Sequence, residues 1–250
     1  NKVLKSAKNP LIILGTSAIN NDHGKKILET AGLIAKKIQK NKNINPLNIL
    51  NQDISRVGAL DLKFYNKKFD NDYNKQLKKH IDKTKPVVFL MGLDEINFST
   101  FENAFVVYLG HHGDVSASIA DIILPTPAYT EKSSTYMNIE GRVIQTTKCH
   151  NPIGEAKEEW KIFRVLSDLF EKNLNFNNLG ELRNELTSTY VQFALLNEVN
   201  SIGEITFAKK NKIENIKINY NIENFYMNDS ISRSSETMAK CTKDILNKAA

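Results

Sequence analysis

Residues 119–145 read IADIILPTPAYTEKSSTYMNIEGRVIQ and contain, in order, a strand signal, a stiff loop and a hairpin signal. The apolar run Ala120–Leu124 stops at Pro125, which predicts a buried strand ending at a loop. Pro125 and Pro127 each fix φ, so the loop is stiff. Further on, Glu140-Gly141 predicts a turn between two short extended segments, because glycine supplies unusual backbone angles. A strand end followed by a rigid polar loop is where α/β proteins commonly hold ligands.

Apolar runs alternate with helical patterns through the first 150 residues. The runs that predict strands lie at Leu11, Leu47, Val87, Val106 and Ile122. Because apolar side chains recur at helical spacing between these runs, the alternation predicts an α/β fold with a doubly wound, mostly parallel, Rossmann-like sheet. We expect a charged residue at Val88 or Ile123 to be severely destabilising, because both side chains should be buried in this sheet.

The pattern changes beyond Pro152. Residues 155–171, 178–196 and 234–248 predict helices, and residues 213–222 alternate as in a strand or extended arm. The apolar side of the first helix is expected to carry Trp160, Phe163, Leu166 and Phe170. The chain is therefore divided into an α/β domain at 1–150, a helical segment at 151–212, and an extended arm with a terminal helix at 213–250.

Composition excludes several classes of protein. An apolar content of 41% and a charged content of 25% are ordinary for a soluble globular protein. The net charge is +6, but no arginine cluster interleaved with aromatic residues is present, so we expect no nucleic-acid binding. No apolar run approaches the roughly 20 residues of a membrane span, and no export signal is recognisable. Neither G-x-G-x-x-G nor G-x-x-x-x-G-K-[ST] occurs, so the usual dinucleotide and nucleotide phosphate loops are missing.

The chain has two cysteines, Cys149 and Cys241. A four-cysteine iron–sulfur cluster or a four-ligand zinc site cannot be built from them alone. A disulfide between them is geometrically open, but two free thiols are favoured for a reducing compartment.

Two charged loops are candidate sites. His111, His112 and Asp114 carry common metal-ligating groups, although adjacent histidines on a loop tend to point apart, which favours a loop contact over a metal. A second set, dense enough in charge for acid–base chemistry, consists of Glu131, Lys132, Glu140 and Arg142. Because no nucleophile or cofactor signature accompanies this set, a solvated loop or a set of salt bridges to a partner is favoured.

Two further candidates have simpler explanations. Cys149 precedes His150, but sequence neighbours on an extended chain face opposite ways, which disfavours a thiolate–imidazole pair. The serines around Arg233 could accept phosphate, and they equally form a polar start to the last helix, which is the favoured interpretation. These serines are Ser230, Ser232, Ser234 and Ser235.

The motif ADIILP…YTEKS.TY.N.EGR..Q resembles the molybdopterin-oxidoreductase-like portion of the seventy-five-kilodalton iron–sulfur subunits of respiratory complex I, the NADH:ubiquinone oxidoreductases. The resemblance covers nearly the whole chain. It includes NPLIILG at 9–15, GHHGDV at 110–115, EWKI at 159–162 and the tail NFYMNDSISR at 224–233. The tail is similar to the mitochondrial and related bacterial form. Where active relatives have Gly-Thr in the motif, this chain has Ser134-Thr135, which removes backbone freedom.

The resemblance implies a structural, non-redox part of the peripheral arm that supports electron transfer from NADH to ubiquinone. It implies no catalytic, cofactor-binding or metal-ligating residue in this chain, with the iron–sulfur clusters in the family's N-terminal part. The implied partners are other peripheral-arm subunits and that N-terminal iron–sulfur portion. The implied location is the matrix side of the mitochondrial inner membrane, or the cytoplasmic side of a bacterial inner membrane. Two alternatives stay open: an active molybdopterin-dependent oxidoreductase domain and a free-standing α/β enzyme.

Overall fold

The structure is a computed structural model with parallel sheets and helices, which confirms the predicted mixed α/β class. It describes residues 3, 6–21, 23–41, 44–51, 56–64, 73–93, 97–199 and 224–246. The predicted arm at 213–222 lies outside the described residues. No helix among those described is long and apolar enough to cross a membrane.

The chain divides into two compact units, and each is built from several stretches of sequence. The first unit comprises Asn1–Tyr65, Thr135–Gln145 and Leu186–Asn221, and the second comprises Asn66–Ser134, Thr146–Glu185 and Ile222–Ala250. Stretches of the two units therefore alternate along the sequence. The domain boundaries at residues 150 and 212, inferred from the change in sequence pattern, stay a prediction.

In the first unit, a two-stranded parallel sheet packs on one long helix. The elements are β1 (Ile12–Gly15), α1 (Thr16–Ile19), α2 (Gly24–Ile38), β2 (Leu47–Leu50) and α3 (Arg56–Asp61). Ala31 and Ala35 of α2 are buried against Leu47 of β2. Small side chains on this face let the helix approach the sheet closely.

A hairpin supplies the other core of the first unit. The strands β6 (Thr135–Met137) and β7 (Val143–Gln145) pair antiparallel. Gly141 in the connection has φ of +79°, which confirms the predicted Glu140-Gly141 turn. Met137 and Val143 are buried with Phe193, which lies in the 3₁₀ turn Val191–Ala194.

The second unit contains a three-stranded parallel sheet in the order β3-β4-β5. Besides the C-terminal helices, its elements are α4 (Tyr73–Thr84), β3 (Val87–Met91), β4 (Phe105–Gly110), α5 (Val115–Ser118), β5 (Ile122–Pro125), α6 (Glu159–Leu169) and α7 (Leu179–Thr189). The boundary between the two units falls within α7. Val107 of the central strand aligns with Phe89 on one side and with Ile122 on the other. The central strand is therefore hydrogen-bonded along both edges.

Helices cover both faces of this sheet. On one face, Ile81 of α4 packs with Leu90, Val106 and Tyr108 in a buried cluster. On the other, Phe163 of α6 lies against Phe89 with ring centroids 5.6 Å apart. Two covered faces explain why β4 is apolar throughout rather than alternating.

The expectation of one five-stranded parallel sheet is wrong for the described residues. The runs at Leu11 and Leu47 form one sheet, and those at Val87, Val106 and Ile122 form another. Periodicity predicts that a segment is a strand, but it does not say which strands exchange hydrogen bonds. Alternation along the sequence therefore indicated the class correctly and the number of sheets incorrectly.

Two burial expectations are also wrong. Ile123 is 53% exposed on β5, one of the two edge strands of its sheet. Phe170 is 68% exposed, because it follows the last residue of α6 instead of lying on its packed side. Both errors come from treating an apolar side chain as a buried one.

Candidate functional site

The loops that follow the three parallel strands meet at one edge of the sheet, the carboxyl edge. Gly92, just past β3, donates its amide to the carbonyl of Leu109 at 2.7 Å. Thr126, just past β5, donates its amide to the carbonyl of Gly110 at 2.9 Å and is only 3% exposed. The loop after β4 is thus held between its neighbours, in the position where ligands of α/β proteins commonly bind.

Tyr108 fills the space beneath the loop after β4. Its side chain is 2% exposed, and its hydroxyl donates to the carbonyl of His112 at 3.2 Å. A Cβ added to Gly110 would lie 2.1 Å from that hydroxyl oxygen. Residue 110 must therefore be glycine for the ring to reach His112.

His111 and His112 converge, contrary to the expectation that adjacent histidines point apart. Their Nδ1 atoms are 2.5 Å apart, and the two rings stand edge to face with centroids 4.7 Å apart. Asp114, the third member of the candidate metal set, uses its carboxylate elsewhere. Within the described ranges, no group of three or more His, Cys, Asp or Glu side chains is arranged to hold a metal ion.

The carboxylate of Asp114 makes two contacts. Its Oδ1 accepts a hydrogen bond from the amide of Val115 at 2.8 Å, which caps the N-terminus of α5. Its Oδ2 accepts a hydrogen bond from Nε of Arg233 at 2.6 Å. The side chains are 12% and 22% exposed, respectively, so this ion pair is largely shielded from water.

Ser116 of α5 links the segment after β4 to the loop after β3. It is fully buried, and its hydroxyl donates to the carbonyl of Leu93. A buried hydroxyl needs a partner, and the chain supplies one.

The stiff loop after β5 contacts the first residue of α6 and the segment before that helix. Lys132 pairs with Glu159 at 2.5 Å, with both side chains about three-quarters or more buried. Glu131 accepts a hydrogen bond from the amide of Ala128 at 3.0 Å, and its carboxylate is 3.9 Å from Nδ1 of His150. These charges stabilise the loop and are not free for acid–base chemistry in this arrangement.

Glu140 and Arg142, the other half of the predicted acid–base set, belong to the first unit. Their side chains are 3.5 Å apart, and Arg142 also donates to the carbonyl of Asn197. The four charged residues therefore form no single cluster: Glu140 and Arg142 pair with each other in the first unit, whereas Glu131 and Lys132 of the second unit contact other residues.

Cys149 and His150 do not form a thiolate–imidazole pair. Nδ1 of His150 lies 3.0 Å from the carbonyl oxygen of Asn151, and the amide of Cys149 donates to the carbonyl of Thr130. Both Cys149 and Cys241 are free thiols, as the sequence favoured.

Glu158 lies directly before α6, and its carboxylate contacts the side chains of Trp160 and Lys161 in the first turn of that helix. Burial raises the pKa of Glu158, but hydrogen bonds from Lys161 and Trp160, with the charges of Lys161 and Lys148, outweigh burial and leave the pKa below its usual value. The carboxylate therefore stays charged at neutral pH and orients the ring of Trp160, whose Nε1 donates to it at 3.0 Å.

The serines around Arg233 build helix ends, which is the interpretation that the sequence favoured. Asp229 and Ser232 form a capping box at the start of α8 (Ser230–Arg233), and Ser235 caps α9 (Glu236–Cys241). The hydroxyl of Ser234 donates to the carbonyl of Ser230 at 2.8 Å.

Sequence reasoning missed the contact between Asp114 and Arg233, which lie 119 positions apart. No periodic signal encodes such a pairing. The capping role of Asp114 was recognisable, since an aspartate directly before a short helix commonly caps it.

The comparisons with known proteins agree with the sequence resemblance. A family model described as "Molybdopterin oxidoreductase" matches residues 1–169, and a second, for the C-terminal region of an NADH-ubiquinone oxidoreductase subunit, matches residues 197–241. The chain is 38% identical, over 96% of its length, to the NADH-ubiquinone oxidoreductase 75 kDa subunit of Reclinomonas americana, of which it covers 35%. It is 41% identical, over 95% of its length, to the mitochondrial 78 kDa subunit of Candida albicans, of which it covers 33%.

A bacterial relative shows the same similarity. The chain is 36% identical, over 96% of its length, to an NADH-quinone oxidoreductase subunit of Rickettsia bellii, of which it covers 34%. The chain thus spans about a third of the length of these curated relatives. With a family match that extends from the first residue through α6, this chain belongs to the molybdopterin oxidoreductase family.

Proposed function

We propose that this chain is a structural, non-redox part of the large iron–sulfur subunit of respiratory complex I. In this role it supports a path that carries electrons from NADH to ubiquinone through clusters held by other segments. The names of the relatives support the assignment to complex I, and the match of residues 197–241 to the C-terminal family supports it independently. The activity, NADH:ubiquinone reductase coupled to proton translocation, then belongs to the assembled complex.

One observation carries the structural role: the polar groups at the carboxyl edge are engaged by the chain itself. Asp114 binds Arg233, the hydroxyl of Ser116 binds a carbonyl, and the hydroxyl of Tyr108 binds another. Ligand sites present convergent polar groups that are free to contact the ligand. Here the groups are used to hold loops together.

The family name implies a pterin cofactor, and the described residues at this edge do not fit one. A pterin pyrophosphate needs cationic or N–H donors, but the guanidinium Nε of Arg233 already donates to a carboxylate at 2.6 Å. The carboxylate of Asp114 would also repel a phosphate at that position. We therefore assign no chemical step to a pterin in this chain.

The proposed partners are other peripheral-arm subunits of complex I and the N-terminal iron–sulfur portion of the large subunit. The proposed location is the matrix side of the mitochondrial inner membrane, or the cytoplasmic side of the membrane in a bacterium. The mitochondrial and bacterial sources of the relatives support both settings.

Metal analysis of the purified chain tests the non-redox role. We expect iron, molybdenum and tungsten all below stoichiometric amounts. A stoichiometric amount of any one of them would overturn the proposal. Molybdenum or tungsten in particular would favour the alternative of an active molybdopterin-dependent domain. The family match to residues 1–169 is the reason that this alternative is tested.

Identification of co-purifying proteins by mass spectrometry tests the assignment to complex I. An affinity tag on this chain should recover subunits of the peripheral arm, including the iron–sulfur portion. Recovery of the chain alone from gently solubilised membranes would favour a free-standing α/β enzyme instead.

A further inference from the structure

Residues 224–246, here called the C-terminal segment, lie in the second unit and are at most partly buried. None of these residues is fully buried as a whole, although the side chain of Arg233 is only 22% exposed, and Phe225 and Ile245 are 71% and 52% exposed. Fixing a backbone costs conformational entropy at every residue, and apolar burial is the usual compensation. In this segment that compensation is small.

The C-terminal segment is well organised internally. Asn224 donates from Nδ2 to the hydroxyl of Thr242 at 3.1 Å, which joins the two ends of the segment. The capping box of Asp229 and Ser232 fixes the start of α8. The segment therefore has the local contacts of a unit that can move as one piece.

The Asp114–Arg233 ion pair ties this segment to the loop after β4. Asp114 is held in place by its cap on α5, so one carboxylate oxygen serves the helix and the other faces the guanidinium. Arg233 is the last residue of α8, so its position depends on the capping box one turn earlier. Both partners are pre-positioned, which reduces the entropy lost when the pair forms.

We propose that the Asp114–Arg233 ion pair is a latch, and that the C-terminal segment detaches from the loop after β4 when either charge is removed. Because the pair is largely shielded from water, dissolved salt screens it only weakly, and loss of one charge is the effective way to break it. The latch belongs to this chain alone and does not depend on its place in complex I.

Hydrogen exchange of the full 250-residue chain, read by mass spectrometry, tests the latch by comparing the unmodified chain with variants that lack one charge of the pair. Loss of the pair should speed exchange in α8 and α9 by about three- to tenfold, as expected for losing a partly shielded ion pair. Amides of β4 should keep their protection, since that strand is buried and hydrogen-bonded on both edges.

Two substitutions break the latch in different ways. Arg233→Gln removes the cation, while Asp114→Asn removes the anion and keeps an oxygen that caps α5. Each should speed exchange in α8 and α9 by a similar factor, because each removes the same contact. The double variant should add nothing further.

Lys240→Gln is the matched control, because it removes one positive charge from an exposed position of α9 in the same segment. It should leave exchange unchanged. If Arg233→Gln exchanges no faster than Lys240→Gln, or if the two latch variants add, the latch is wrong. Loss of protection in β4 on breaking the pair would also overturn it, because the segment would then belong to the core.

Discussion

Gly110 is the residue on which the loop after β4 depends most directly. A methyl group there would overlap the ring of Tyr108, whose hydroxyl oxygen would lie 2.1 Å away, and the buried ring has little room to move. Gly110→Ala should therefore destabilise the chain by about 1–3 kcal/mol, the usual cost of overpacking. The free energy of unfolding in urea measures the effect.

Gly113 provides the comparison within the same loop. A Cβ at Gly113 would meet nothing within 4 Å, so Gly113→Ala should stay within about 0.5 kcal/mol of the unmodified chain. Equal stabilities of the two alanine variants would show that Tyr108 moves aside readily.

Asp229 makes the start of α8 sensitive to acid. The hydrogen bond from the amide of Ser232 lowers the pKa of Asp229, opposed by partial burial and aided by the Ser232 hydroxyl, the amide of Ile231 and the charge of Arg233. A lowered pKa stabilises the cap at pH values above the unfolded pKa of about 3.9, and this stabilisation is lost as the pH falls through the folded pKa.

Exchange of the amides of Ile231 and Ser232, corrected for intrinsic rates, should therefore accelerate below about pH 4. Asp229→Asn keeps a capping oxygen and should remove this acid step. A step of the same size in the asparagine variant would assign the effect to another group.

The strands β4 and β5 are both apolar in sequence but differ in how much of each is buried. Val106 is 2% exposed on the central strand, and Ile123 is 53% exposed on the edge strand. Val106→Asp should cost about 3 kcal/mol or more, because the charge would be buried without a partner. Ile123→Asp should cost less than about 1 kcal/mol, since its carboxylate stays in water. Urea unfolding of both variants measures the difference, and equal losses would mean that the edge of β5 is covered in the free chain.

The strand signals in the sequence were sufficient to locate β5 and the β6–β7 hairpin, because Pro125 and Gly141 punctuate them. They were insufficient to distinguish an edge strand from a central one. Burial depends on what packs against a strand, and the residues that pack there are far away in sequence, as the contact between Phe163 and Phe89 shows. Charged contacts also divide into local ones, which the sequence indicates, and distant ones, which it does not. The cap at Asp114 is local and recognisable, whereas its pairing with Arg233 is not.

The second unit contains a well-packed part and a weakly packed one. The sheet of the second unit has a buried cluster around Tyr108, whereas the C-terminal segment has no buried residue among those described. Stability is therefore expected to be uneven, with the segment opening at a lower free energy than the sheet. Phe225 of this segment is 71% exposed and is accessible to the proposed partners.

Truncation before Asn224 tests this division of roles. The truncated chain should stay folded, with a melting temperature within about 3 °C of the full chain, because the deletion removes no fully buried residue among those described. It should nevertheless incorporate poorly into the complex, because we expect Phe225, Tyr226 and Met227 to anchor the segment on a neighbouring subunit. Phe225→Ala separates the anchor from the ion pair, since it removes one exposed side chain and leaves the Asp114–Arg233 pair intact; it should lower incorporation without changing the melting temperature. Assembly of the truncated chain at normal yield would make the segment a passive surface feature. Failure of the truncated chain to fold would instead place the segment in the core, because the missing stability would then come from contacts that the sheet itself requires.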